Sequence, residues 1–173
     1  MSEPGARSTG RSAVEATDPD IDLHVPAQRR EWSAHRWVLP MIALGGMAGA
    51  GARYALELAW PAPDDGFPWA TFLTNVSGCL LIGVLMVYVV EAGGAHPLVR
   101  PLLGVGVLGG FTTFSTYTVQ ATVLGVEDRP ALAAAYLVGT LLAARAAEVQ
   151  GVFLARALLR ARRWLIHHRR GSR

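Results

Sequence analysis

Four long apolar runs, at 37–60, 69–90, 98–126 and 131–154, leave this chain little choice of fold. A hydrocarbon core of ~30 Å is crossed by ~20 largely apolar residues in a helix, and each run meets that length. The links between them are short. Residues 61–68, with Asp64, Asp65 and Gly66, form a turn-rich linker, and 91–97 and 127–130 close the other two gaps. A water-soluble four-helix bundle would carry a polar stripe along each helix, and none of these runs has one. The implied fold class is an all-α membrane protein with four transmembrane helices. The whole chain is 51% hydrophobic with a mean hydropathy of +0.30, too apolar for an ordinary soluble domain. Trp32, Trp37, Trp60, Trp69 and Trp164 fall near span ends, where amphipathic rings favour the interface.

Residues 1–36 are rich in Ser, Gly, Pro, Asp and Arg, hold no apolar core of signal-peptide length, and read as a disordered tail. The four spans occupy 37–159, and 160–173 is a basic C-terminal tail. With four crossings, both tails and the 91–97 link share one side of the membrane. That side holds Arg7, Arg11, Arg29, Arg30, Arg36, Arg100, Arg156, Arg160, Arg162, Arg163, Arg169, Arg170 and Arg173. The opposite side has Arg129 beside Asp64, Asp65, Glu127 and Asp128. The positive-inside rule therefore puts both termini in the cytoplasm. Arginines gathered at the ends of a membrane chain suit anionic headgroups better than nucleic acid. The single cysteine, Cys79, lies inside the second run and reads as a small buried hydrophobe.

Within the third run, Gly109-Gly110-Phe111-Thr112-Thr113-Phe114-Ser115-Thr116-Tyr117 is the poorest helix-forming stretch in its neighbourhood. Two adjacent glycines cost helix stability, and β-branched and aromatic residues recover little of it. The stretch predicts a broken third helix. Lipid cannot satisfy the backbone groups that a break exposes, so protein, an ion or a water-filled path must cover it.

Polar residues at membrane depth surround that break. The first run carries Gly45 and Gly49 on a small-xxx-small face, extended by Gly46 and Ala50, which lets another helix backbone approach closely. Arg53 follows, facing either a water-filled vestibule or, by snorkelling, the outer interface. Asn75 in the second run has two N–H donors that suit an anion, or the same carboxamide holds helices together. In the fourth run, Thr140 is polar, and Arg145 and Glu148, three apart, are placed for an ion pair. Phe114 and Tyr117 lie one helical turn apart, where ring edges, the positive side of the aromatic quadrupole, can hold a small hard anion. Donors without a central carboxylate in the first three spans point to an anion path. The five histidines lie in the tails or a loop, and no catalytic or metal-binding constellation is evident, so the chain does not read as an enzyme.

These residues resemble the Fluc (CrcB) family of small bacterial fluoride channels. Three motifs carry the resemblance across roughly residues 39–159: Gly45-Gly46-x-x-Gly49-Ala50-x-x-Arg53-Tyr54, Trp69-x-Thr71-x-x-x-Asn75-x-x-Gly78, and Gly109-Gly110-x-Thr112-Thr113-Phe114-Ser115-Thr116. The resemblance implies a passive fluoride-selective channel of the bacterial plasma membrane that exports cytoplasmic fluoride. It also implies an antiparallel, dual-topology dimer with two pores and a central structural Na⁺. By the same resemblance, the pore asparagine is Asn75 and the first pore phenylalanine is Phe114. The second falls at Tyr117, a departure that adds a hydroxyl able to donate to fluoride. Arg53 matches the vestibule arginine, and Ser115, Thr116 and Thr140 match the hydroxyl-lined track. Backbone carbonyls of Gly109 and Thr112 from each subunit match the Na⁺ site.

Two features set this chain apart from the family's pattern. Its arginine bias fixes one orientation, so an antiparallel partner would be an oppositely oriented paralogue rather than a second copy, although a homodimer stays open. Arg145 and Glu148 are unusual for the fourth span. The alternatives are a non-conducting structural subunit of a heterodimeric channel, and a small proton-coupled multidrug exporter, which would need a titratable carboxylate at mid-membrane; Glu57 sits too near a span end for that.

Overall fold

The computed structural model describes residues 36–62, 66–91 and 96–171, with side chains described as far as residue 162. Most of the N-terminal tail, Asp64 and Asp65 of the first linker, the middle of the 91–97 link, and the side chains of Trp32, Trp164 and four of the histidines lie outside that description. The described residues form helices alone. They are α1 (Val38–Ala59), α2 (Trp69–Glu91), a π-helical segment (Arg100–Leu108) continued by a single turn α3 (Gly109–Phe111), α4 (Ser115–Val126) and α5 (Pro130–Gly171). By length and apolarity, α2, the 100–126 stretch and the 130–162 part of α5 can each cross a membrane. α1 has the length, at 22 residues, but its glycines and the Arg53 and Glu57 charges dilute its apolar character. Large apolar side chains are exposed on every helix, among them Met47, Tyr88, Val105 and Phe153, as a lipid-facing surface requires.

Small residues decide which helices meet. A Cβ on Gly45 would strike Leu102 O and Gly106 Cα, and one on Gly49 would strike Val107 O and Phe111 N. α1 therefore packs backbone to backbone along the π segment, the close approach that small-xxx-small faces allow. Gly46 serves the same contact differently. Its own Cβ position faces open space, while its backbone receives Gly110, whose added Cβ would lie 2.5 Å from Gly46 O. α2 and α5 pair through Gly83, set against the Glu148 carbonyl, and Gly151, set against the Leu80 carbonyl.

The third run was expected to be α-helical up to its glycines, and the structure makes it π-helical over Arg100–Leu108. Pro101 brings no N–H to the first turn, and Gly104 and Gly106 tolerate the wider winding. The ladder stays satisfied: Gly109 N–H reaches the carbonyls of Gly104 and Gly106. α4 ends in a Schellman turn, with Asp128 at φ 58° and Arg129 N–H on Leu124 O at 3.0 Å. α5 then runs unbroken for 42 residues, so the helix continues through the backbone of 160–171.

Candidate functional site

Regular helix stops at Phe111, Thr112 is extended at φ −74° and ψ 153°, and helix resumes at Ser115. The intervening backbone is gripped from both sides. From α2, Asn75 Nδ2 donates to Thr113 O at 2.9 Å, and Asn75 Oδ1 accepts the Thr113 N–H at 2.8 Å. From α1, Arg53 Nε donates to Gly110 O at 3.3 Å, while its Nη1 donates to Glu57 at 3.1 Å. The carboxamide thus spends one donor and its acceptor on the backbone, which leaves one amide hydrogen for another partner. Gly78, also on α2, makes room for the Thr112 side chain.

This clamping redirects two N–H groups. A continuing helix would send the Thr113 N–H to the Gly109 carbonyl, but Asn75 takes it. It would send the Thr116 N–H to the Thr112 carbonyl, but Thr113 Oγ1 takes it at 3.2 Å. The carbonyls of Gly109 and Thr112 therefore both lose their helical donors, and carbonyl oxygens freed in this way suit a hard cation.

On the far side of the interruption the hydroxyls converge. Thr113 Oγ1 donates to Thr116 Oγ1 at 3.1 Å and lies 3.4 Å from Ser115 Oγ. Because Thr116 accepts, its own hydrogen stays available. Phe114 is 76% exposed, with its ring 5.9 Å from that of Tyr117. Tyr117 differs from its expected role as an anion donor: it is buried, and its hydroxyl donates to Leu137 O at 2.5 Å. The cause is its place in the α4–α5 core, where its ring stands 5.2 Å from Tyr136.

Thr140 is also buried in the chain, and its hydroxyl takes no partner among the described residues; the same holds for Thr74. Phe67 touches Tyr136, Gly83 backs onto Glu148, and Glu91 pairs with Arg156. α2 and α5 thus run parallel. Sequence reasoning passed over Gln120, whose Oε1 accepts from Tyr136 at 2.9 Å. Gln120 also lines a cavity of about 130 Å³ with Glu57, Thr71 and Thr116. A polar residue one turn beyond Tyr117 on the same run was the available signal. The expected Arg145–Glu148 ion pair is present, on an outward face of α5.

The family model described as CrcB-like protein, Camphor Resistance (CrcB), matches residues 40–152. The chain belongs to this family. Among curated CrcB relatives, "Fluoride-specific ion channel FluC 2" of Streptomyces avermitilis is 50% identical over 72% of this chain and 79% of its own length. "Fluoride-specific ion channel FluC 1" of Streptomyces coelicolor is 49% identical over 78% of this chain and 87% of its own. A second protein of Streptomyces avermitilis, "Fluoride-specific ion channel FluC 3", is 44% identical over 79% of this chain and 67% of its own. The matched segment of this CrcB-family chain contains the whole clamp, from Arg53 through Asn75 to Thr113, and all of α4.

Proposed function

We propose that the chain forms a passive, fluoride-selective channel that lets cytoplasmic fluoride leave the cell. The observation that carries this reading is the interruption between Phe111 and Ser115, held at Thr113 by Asn75, in a chain whose relatives bear the name of fluoride-specific ion channels. Fluoride is small and strongly hydrated, so a path for it must replace water with donors that hold the ion weakly enough to release it. Asn75 offers its remaining amide hydrogen, Ser115 and Thr116 their hydroxyls, and Phe114 an exposed ring edge. Thr140 adds a hydroxyl deeper in the helix bundle. Tyr117 contributes its ring, with its hydroxyl held by Leu137. Arg53 offers guanidinium N–H donors beside the cavity at Glu57, its charge balanced by that carboxylate.

The broken third helix serves a second purpose in this reading. The carbonyls of Gly109 and Thr112 from two subunits would hold a structural Na⁺ at the centre of an antiparallel dimer, and the ion would supply positive charge that fastens the subunits. The arginine distribution favours a single orientation with both termini in the cytoplasm. The antiparallel partner would therefore be an oppositely oriented paralogue, a reading compatible with Streptomyces avermitilis holding two proteins named as fluoride-specific ion channels. The four spans would lie in 37–159, with only the Gly45–Gly49 face of α1 covered by the third run.

The exposed Arg145–Glu148 pair favours a second role, that of a structural subunit whose partner carries the conduction, because charge on an outward face calls for a covering protein. A proton-coupled exporter is disfavoured, since Glu57 and Glu148 are each engaged by an arginine. Liposomes containing the chain alone, the paralogue alone or both distinguish these readings. Fluoride efflux that needs Phe114 in this chain supports conduction here. Efflux that survives its replacement assigns conduction to the partner.

A further inference from the structure

We propose that the cleft between the end of α2 and the distal part of α5 binds the phosphate of an anionic phospholipid headgroup. The inference rests on α2 and α5 spanning the membrane and not on the identity of the ion conducted. At 1.5 Å per residue, the 42 residues of α5 extend roughly 63 Å, about twice the ~30 Å hydrocarbon core. Counted from Trp69, the 23 residues of α2 extend roughly 35 Å, so its last residues lie just past the hydrocarbon. α2 ends at Glu91 and is tied there to Arg156. The cleft therefore sits at headgroup depth.

Its chemistry is that of a phosphate site. A cavity of about 310 Å³ is lined by Glu91, Arg156, Leu159 and Arg160, which places it at the lower edge of ligand-sized pockets, ~300–1,000 Å³. Arg156 is pinned, with Nε at 2.8 Å and Nη2 at 2.6 Å from Glu91 Oε1. That pair is neutral. Arg160, one turn further along the same face, makes no ion pair among the described residues, so the cleft holds one uncompensated guanidinium. Guanidinium forks match phosphate oxygens in pairs, and Leu159 gives the glycerol end an apolar wall. Depth and that wall together select a lipid over free phosphate.

The test uses the full purified chain in detergent, titrated with phosphatidylglycerol, phosphatidylcholine or inorganic phosphate and read by native mass spectrometry. Phosphatidylglycerol is expected to bind in preference to phosphatidylcholine. Arg160→Gln should lower that affinity by about fivefold, the worth of one arginine at an anionic surface. Glu91→Gln should raise it by freeing Arg156, and Arg162→Gln, outside the cleft, should change it by less than about twofold. Equal losses for Arg160→Gln and Arg162→Gln would reduce the effect to diffuse charge and overturn the site. Full displacement of the lipid by millimolar inorganic phosphate would overturn the assignment to a headgroup, as would a wild type without lipid preference. Fluoride efflux is expected to be unchanged in Arg160→Gln, which separates this site from the ion path.

Discussion

Replacing Asn75 with leucine removes both hydrogen bonds to Thr113 while keeping the forked outline of the side chain at a half-buried position, so the packing cost stays modest although leucine is bulkier. Two backbone groups lose their partners. An unsatisfied buried donor or acceptor costs about 1–3 kcal/mol, whereas hydrogen bonds in helical membrane proteins average nearer ~0.6 kcal/mol, because the freed groups find other partners. The pair therefore contributes between about 1 and 6 kcal/mol, and the structure narrows that range. The freed Thr113 N–H has a ready alternative in the Gly109 carbonyl, so part of the cost is recovered by healing the helix. We expect a net loss of about 1–3 kcal/mol, measured by reversible unfolding in mixed micelles. Healing would also turn the Gly109 carbonyl away from any cation and shift Phe114, so fluoride efflux from liposomes should fall at least about tenfold, or ~1.4 kcal/mol in barrier terms. A leucine variant with stability within about 0.5 kcal/mol of wild type and undiminished efflux would refute the clamp.

Other expectations follow from the same contacts. Phe114→Ile should leave stability nearly unchanged, because the ring is exposed, yet abolish efflux; the opposite pattern would make the ring structural. Gly49→Ala should destabilise strongly, since its Cβ would enter the Val107 carbonyl, whereas Gly46→Ala should be neutral or gain up to ~1 kcal/mol of helix propensity, and equal effects in an unfolding assay would contradict the packing described. Tyr117→Phe should cost about 1 kcal/mol for the lost bond to Leu137 and retain efflux, whereas loss of efflux at unchanged stability would return the hydroxyl to the ion path.

The apolar runs located the helices because lipid demands both length and apolarity; Gly109 and Gly110 themselves stay helical, Gly110 serving the contact with Gly46, and the interruption falls just beyond them, at Thr112–Phe114. Asn75 was legible as a residue that needs a partner; which partner was not, since the Thr113 backbone lies far away in sequence. Arg53 was read as a vestibule or snorkelling charge, and its bond to Gly110 O depends on how α1 crosses the third run. Tyr117 shows what a motif resemblance leaves open. Its position matched an aromatic of the ion path, but the direction of its hydroxyl is set by Tyr136 and Leu137 on α5, which spacing cannot reveal. The π winding of Arg100–Leu108 was likewise hidden, because Gly104 and Gly106 permit it without requiring it.

The central claim is tested most directly by fluoride-electrode recording of efflux from potassium-loaded liposomes that contain this chain together with the proposed oppositely oriented paralogue. The account predicts efflux that starts only when a potassium ionophore allows charge to balance, carries fluoride but no measurable chloride, and disappears with Phe114→Ile in this chain. Efflux that carries chloride equally well, or no fluoride efflux with the ionophore present, would contradict it.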